Sequence, residues 1–159
     1  MNTFYKQKLL KILNECDKHL LRMNSASKKM SSFMPLTSTK YENLTEDEIE
    51  HIDQFLFRFS KLQDAMGQKL FKSFLVSLDE DIENLPFVDI LNRLEKIKIL
   101  EDINIWRELR EYRNELSHNY DDDPLITSNI INNLYCKKEK MSSIYQKIKS
   151  RIELDREKL

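Results

Sequence analysis

The stretch LTEDEIEHIDQFLFRFSKLQDAMGQKLFKSFLVSL, residues 44–78, decides the fold class. Thr45 and Glu48 form the T-x-x-E pattern of a capping box, and Leu44 and Ile49 occupy the two positions of a hydrophobic staple, so a helix starts here. From that start Ile52, Phe55, Leu56, Phe59, Leu62, Met66, Leu70, Phe74 and Leu78 recur every three or four residues. One helical face thus stays apolar for more than thirty residues, a length that suits a helix bundle. Gln63 falls inside the apolar arc, with Ser60 and Gly67 at its edge. A polar group facing a core needs a partner, so Gln63 either bonds a neighbouring helix or lines a cleft, together with Ser60.

The rest of the chain fits the same class. Its 159 residues suit a single domain over 1–159. One glycine and three prolines leave few of the turns that hairpins and phosphate-binding loops require. A first helix begins near Phe4, repeats Leu9, Ile12, Leu13, Cys16 and Leu20 on one face, and extends through Met23 toward Met34. A loop follows over roughly 35–44. Pro86 suits the first turn of a short third helix carrying Val88, Leu91, Leu94 and Ile97. The fourth helix covers about 102–120. Asp123 and Pro124 are a natural N-cap and first residue for a fifth, about 124–156, whose core face is Ile130, Leu134, Met141, Ile144, Ile148 and Ile152. Five helices with short links predict an all-α, antiparallel up-and-down bundle.

Charge and motifs remove several function classes. The 26 basic and 27 acidic residues leave a net charge of −1, which exerts no global pull on nucleic acid or an anionic membrane. Any RNA contact is therefore local. No window approaches the roughly 20 apolar residues of a spanning helix, and the N-terminal stretch lacks the apolar core of a signal peptide. A cytoplasmic protein without membrane attachment is expected. Cys16 and Cys136 stand alone, which suits reduced thiols and not a zinc or redox site. Walker, Rossmann and HExxH patterns are absent, and no metal is expected.

The fourth helix carries the candidate chemistry. Projected at about 100° per residue, Ile105, Trp106, Leu109, Tyr112 and Leu116 share an apolar sector, Glu108, Glu111 and Glu115 an acidic one, and Arg107, Arg110, Asn114, Ser117 and His118 a third. Arg113 points into the apolar sector. An unpaired guanidinium there costs several kcal/mol, so Arg113 requires either an internal counter-charge or a ligand. His118 sits in the last turn, where a pKa near neutrality suits proton transfer.

RNELSHNY, residues 113–120, fits the pattern R-N-x-x-x-H-x-Y through Arg113, Asn114, His118 and Tyr120. This pattern resembles that of HEPN-domain ribonucleases, specifically the HepT-like toxins, and FRFSKLQDAMG, residues 57–67, resembles the second-helix segment of the same group. The resemblance implies a single HEPN domain that dimerises, with the motif helices meeting at the twofold interface around a ribonuclease cleft. It implies metal-independent endoribonuclease activity of a toxin in a type VII-like toxin–antitoxin pair. The antitoxin would be a minimal nucleotidyltransferase of the MNT or MntA type that uses ATP to attach AMP to Tyr120. The toxin itself then needs no cofactor.

The residues support such chemistry independently. RNA is cut when its 2′-OH attacks the adjacent phosphate, leaving a cyclic phosphate and a 5′-OH; the step needs a base, an acid and stabilisation of the phosphorane charge. Arg113 offers a planar fork for phosphate oxygens and His118 a proton-transfer group, with Asn114 positioning. A second His118 from a symmetric partner completes the acid–base pair, so a homodimer follows. Arg107, Arg110 and Ser117 are candidate contacts to an RNA substrate such as tRNA or mRNA, with Lys137, Lys138 and Lys140 as a further basic rim. The alternative is a catalytically silent HEPN subunit that binds nucleotide or substrate for a nucleotidyltransferase.

Overall fold

The computed structural model describes residues 3–119 and 123–157. They form six helices and, among the described residues, no strand. Helix α1 is Thr3–Met30 and α2 is Ser38–Glu42. Helix α3 runs Glu46–Ala65, passes through a π-helical turn at Met66–Leu70 and resumes at Phe71–Ser77. Helices α4, α5 and α6 are Phe87–Lys96, Ile103–Asn119 and Pro124–Glu157.

The sequence signals at helix starts hold. Glu48 N donates to Thr45 Oγ1 at 3.2 Å and Thr45 N to Glu48 Oε1 at 2.9 Å, closing the capping box of α3. Asp123 Oδ1 accepts from the amides of Leu125 and Ile126 at 2.9 and 3.2 Å, capping α6. Three boundaries differ from expectation. Helix α1 stops at Met30, where the amides of Phe33 and Met34 turn back onto the Met30 carbonyl. The segment expected to be a loop contains α2, which Thr37 caps by accepting from Lys40 N at 3.1 Å. Pro86 precedes α4 as its N-cap, with an extended ψ of 150°, and is not the first helical residue.

The π turn has a cause in the sequence. From Leu62 the apolar residues step by four through Met66, Leu70 and Phe74, and each step advances about 40° around a regular α-helix. The stripe would drift by about 120° over those residues and leave the core. A π turn takes up one extra residue without rotating the helix further, so Leu62, Met66, Leu70 and Phe74 all stay fully buried.

Inter-helix contacts give the bundle its topology. Glu15 meets Lys69 and His19 meets Arg58, so α1 and α3 are antiparallel. Asn132 holds both backbone groups of Leu36, beyond the end of α1, Tyr145 Oη donates to the Leu13 carbonyl at 3.1 Å, and Lys6 lies by Glu153 and Arg156; α6 therefore also runs against α1. Glu101 pairs with Lys147 and Glu108 with Lys137, making α5 and α6 antiparallel. Asp64 pairs with Arg113, and the Phe71 and Trp106 rings lie 4.7 Å apart, which sets α5 against α3. Helices α1, α3, α5 and α6 thus form an up-and-down bundle. Cys16 lies at its centre, where burial first, then the Glu15 and Asp17 carboxylates, push its thiol up to about 12.

Two helix ends show how the chain manages with a single glycine. After α3, Glu80 N donates to the Leu75 carbonyl and Asp79 N to that of Val76; after α4, Ile99 N donates to Leu94 and Lys98 N to Glu95. Both are Schellman motifs, yet the left-handed residues are Asp79 at φ 61° and Lys98 at φ 65°. A side chain in that region costs about 1–2 kcal/mol. Lys98→Gly is therefore expected to stabilise the fold by about 1 kcal/mol, seen as a melting-temperature rise of about 2–4 °C. An unchanged or lower melting temperature would show that the left-handed backbone carries no strain.

Candidate functional site

A cleft of about 450 Å³ opens where the π turn of α3, the start of α4 and the middle of α5 meet. Gln63, Arg110, Arg113, Asn114 and Ser117 line it, as do Asp64, Gly67, Gln68, Lys72, Phe87 and Trp106. The motif helix presents its faces as projected: Trp106 and Leu109 are buried, while Arg107, Arg110, Asn114, Ser117 and His118 are exposed.

Arg113 has an internal counter-charge. Both Nη1 and Nη2 donate to the Asp64 carboxylate, the latter at 3.0 Å, and Nη1 also reaches Gln63 Oε1 at 3.5 Å. This resolves the choice left open by the sequence: Gln63 bonds a neighbouring helix and lines the cleft, and Arg113 is paired. Three of the guanidinium's five N–H donors are thereby engaged, and the other two have no partner among the described residues. The Arg113 and Asp64 side chains remain 30% and 35% exposed, so water screens the pair and its strength lies well below that of a buried bridge.

The floor of the cleft is unusual. Gln63 and Trp106 are 2% and 1% exposed, yet among the described residues Gln63 Nε2 and Trp106 Nε1 have no hydrogen-bond partner. A buried donor left unpaired costs about 1–3 kcal/mol. Gly67 permits the arrangement, because a Cβ there would lie 3.2 Å from Trp106 Cζ2 and 3.7 Å from Phe87 Cζ. Arg110 lies over the Phe87 ring, 5.3 Å from its centroid, which brings a cation to the mouth.

No family model, curated protein or solved structure matches the chain.

The expected site is gathered only in part. Arg113, Asn114, Arg110, Ser117 and Gln63 share the cleft, whereas Ser60, Arg107 and His118 are outside its lining. His118 is exposed in the last turn of α5, one turn beyond Asn114. Tyr120, with Asp121 and Asp122, lies outside the described residues. The supplementary basic rim is largely committed elsewhere. Lys137 donates to Glu108, whose carboxyl is lowered first by that hydrogen bond, and lies 5.3 Å from the centre of the Tyr112 ring. Lys138 donates to the Tyr135 carbonyl at 2.9 Å and stacks over its ring. Asp64, Lys72, Phe87 and Trp106 escaped the sequence reading as site residues. The lone glycine inside an apolar helix stripe, with one tryptophan available to fill the space it leaves, was the signal that pointed to this place.

A double-mutant cycle tests the bridge that organises the cleft. Asp64→Ala and Arg113→Ala are expected to couple by about 1 kcal/mol in urea unfolding, decreasing at high salt. A coupling near zero would mean that the bridge does not hold α5 to α3.

Proposed function

We propose that the chain is the ribonuclease toxin of a HEPN/MNT pair, a metal-independent endoribonuclease that acts as a homodimer. The observation that carries this reading is the cleft that collects Arg113, Asn114, Arg110 and Ser117 from one helix, one turn before the exposed His118. Arg113, Asn114 and His118 are positions that the R-N-x-x-x-H-x-Y resemblance singles out, and Arg110 and Ser117 are the expected RNA contacts beside them. An RNA phosphate at the mouth would meet Arg110 and the two uncommitted N–H groups of Arg113, with Asn114 orienting it.

In the proposed step, one His118 takes the proton of the ribose 2′-OH as the 2′-oxygen bonds to phosphorus. The bond from phosphorus to the 5′-oxygen breaks, and that oxygen receives a proton from the His118 of a second copy. The products are a 2′,3′-cyclic phosphate and a 5′-OH. Exposed Leu125 and Ile126, at the start of α6, offer apolar surface beside the motif for the second copy. Control follows from Tyr120: its phenolic oxygen attacks the α-phosphorus of ATP on the partner nucleotidyltransferase, pyrophosphate leaves and the phenolic proton passes to solvent. The attached AMP then adds a phosphodiester and its negative charge to the motif, where it would compete with an RNA phosphate. The Arg113–Asp64 bridge also favours a second reading, a silent subunit that binds nucleotide without cutting, since a paired guanidinium stabilises a phosphorane less.

The two readings separate on His118→Ala. Cleavage of cellular RNA in chelator, and growth arrest on expression, are expected to fall by at least about 100-fold. Undiminished cleavage, or cleavage only with added Mg²⁺, would overturn the mechanism; no cleavage by the unaltered protein would leave the silent subunit. For control, incubation with a minimal nucleotidyltransferase of the MNT type and ATP is expected to add AMP mass to the protein but not to Tyr120→Phe. Equal labelling of both would place the modification elsewhere.

A further inference from the structure

The cleft is deeper and more chemically varied than a phosphate clamp requires. Its mouth holds Arg110, Lys72 and the Arg113–Asp64 pair, which together carry net positive charge. Its wall includes the rings of Phe87 and Trp106, and its floor the two unpartnered donors Gln63 Nε2 and Trp106 Nε1. Cations outside, flat apolar walls and neutral donors inside match the parts of one nucleotide: phosphate, ring and acceptor atoms on the ring edge.

We propose that the inner cleft reads one nucleobase of the RNA, guanine by preference, with the Gln63 amide and the Trp106 indole N–H donating to its acceptor edge. This deepens the ribonuclease reading and rests on it for the identity of the polymer. Guanine presents two neighbouring acceptors, O6 and N7, whereas adenine offers a donor beside its N7. Two protein donors in the lining of one cleft therefore favour guanine and leave an adenine amino group opposed by an N–H. Both donor atoms are covered in the free chain, so the base enters by displacing a wall side chain. Phe87 is that wall: it is only partly buried, it stands at the first residue of α4, and no side chain caps that helix. The entering base replaces its ring beside Trp106, while Arg110, now over Phe87, turns to the phosphate. Gly67 lets the indole pack close against α3, which places Trp106 at the floor.

Trp106 is the single tryptophan of the chain, so its indole N–H gives one isolated resonance in a ¹H–¹⁵N spectrum. The experiment titrates the full-length protein separately with GMP, AMP, CMP, UMP and ribose 5-phosphate while following that resonance. The expected result is a saturable downfield shift with GMP, with an affinity roughly tenfold above that for AMP. Gln63→Glu keeps the acceptor that faces Arg113 and replaces the donor with an oxygen, so it is expected to weaken GMP at least tenfold while AMP changes little. No indole shift with any nucleotide, equal shifts with GMP and AMP, or the same shift with ribose 5-phosphate would overturn the proposal. Cutting of a random-sequence RNA separates the two readings. GMP binding without any cleavage sinks the ribonuclease and leaves the pocket, whereas cleavage with no base preference and a silent indole sinks the pocket and leaves the ribonuclease.

Discussion

A guanidinium on the inward side of a helix has to be paired, and Arg113 is paired with Asp64. That pairing goes with one rotation of α5 against α3, the same rotation that buries Trp106 and Leu109. With the rotation set, Trp106, seven residues earlier and two turns away on nearly the same face, is delivered to Gly67 and Phe71. Arg110, Asn114 and Ser117 are in turn aimed at the space between the helices. The opposite edge of α5 is fastened to α6 by Lys137, Glu108 and Tyr112. The candidate site is thus what remains between two sets of fastenings.

The same bridge bears on chemistry in both directions. Asp64 holds Arg113 in a defined place, which favours a preorganised phosphate contact. It also lowers the net positive charge that an incoming phosphate feels. The near-neutral overall charge of the chain adds no compensating field, so the RNA contact we propose would rest on the few cations at the cleft mouth.

The sequence made the helices legible and the cleft only partly so. Capping at Thr45 and Asp123 and the apolar spacing of α3 and α6 are local signals, and local signals survive into the fold. The direction of Arg113 was visible by projection, because helical phase is set by covalent geometry alone. Its partner was not: Asp64 lies forty-nine positions away and looks like any polar residue next to an apolar stripe. Trp106 was legible as a core residue, but its unpaired N–H depends on what other helices fail to supply. The short α2 was hidden among Ser, Thr and Pro residues that also suit a loop. The place of His118 outside the cleft lining likewise depends on how the helices around α5 pack, which no period in α5 encodes.

The π turn of α3 divides that helix into two rotational frames. The frame before it sets how Gln63 and Asp64 meet α5, and the frame after it sets how Phe71, Phe74 and Leu75 fill the bundle. Because the extra residue is absorbed between them, the two frames answer to separate constraints. Core residues lie on both sides of the turn, Phe55 and Phe59 before it and Phe71 and Phe74 after it, so one rod seats the bundle twice while Gln63 and Asp64 between them face α5.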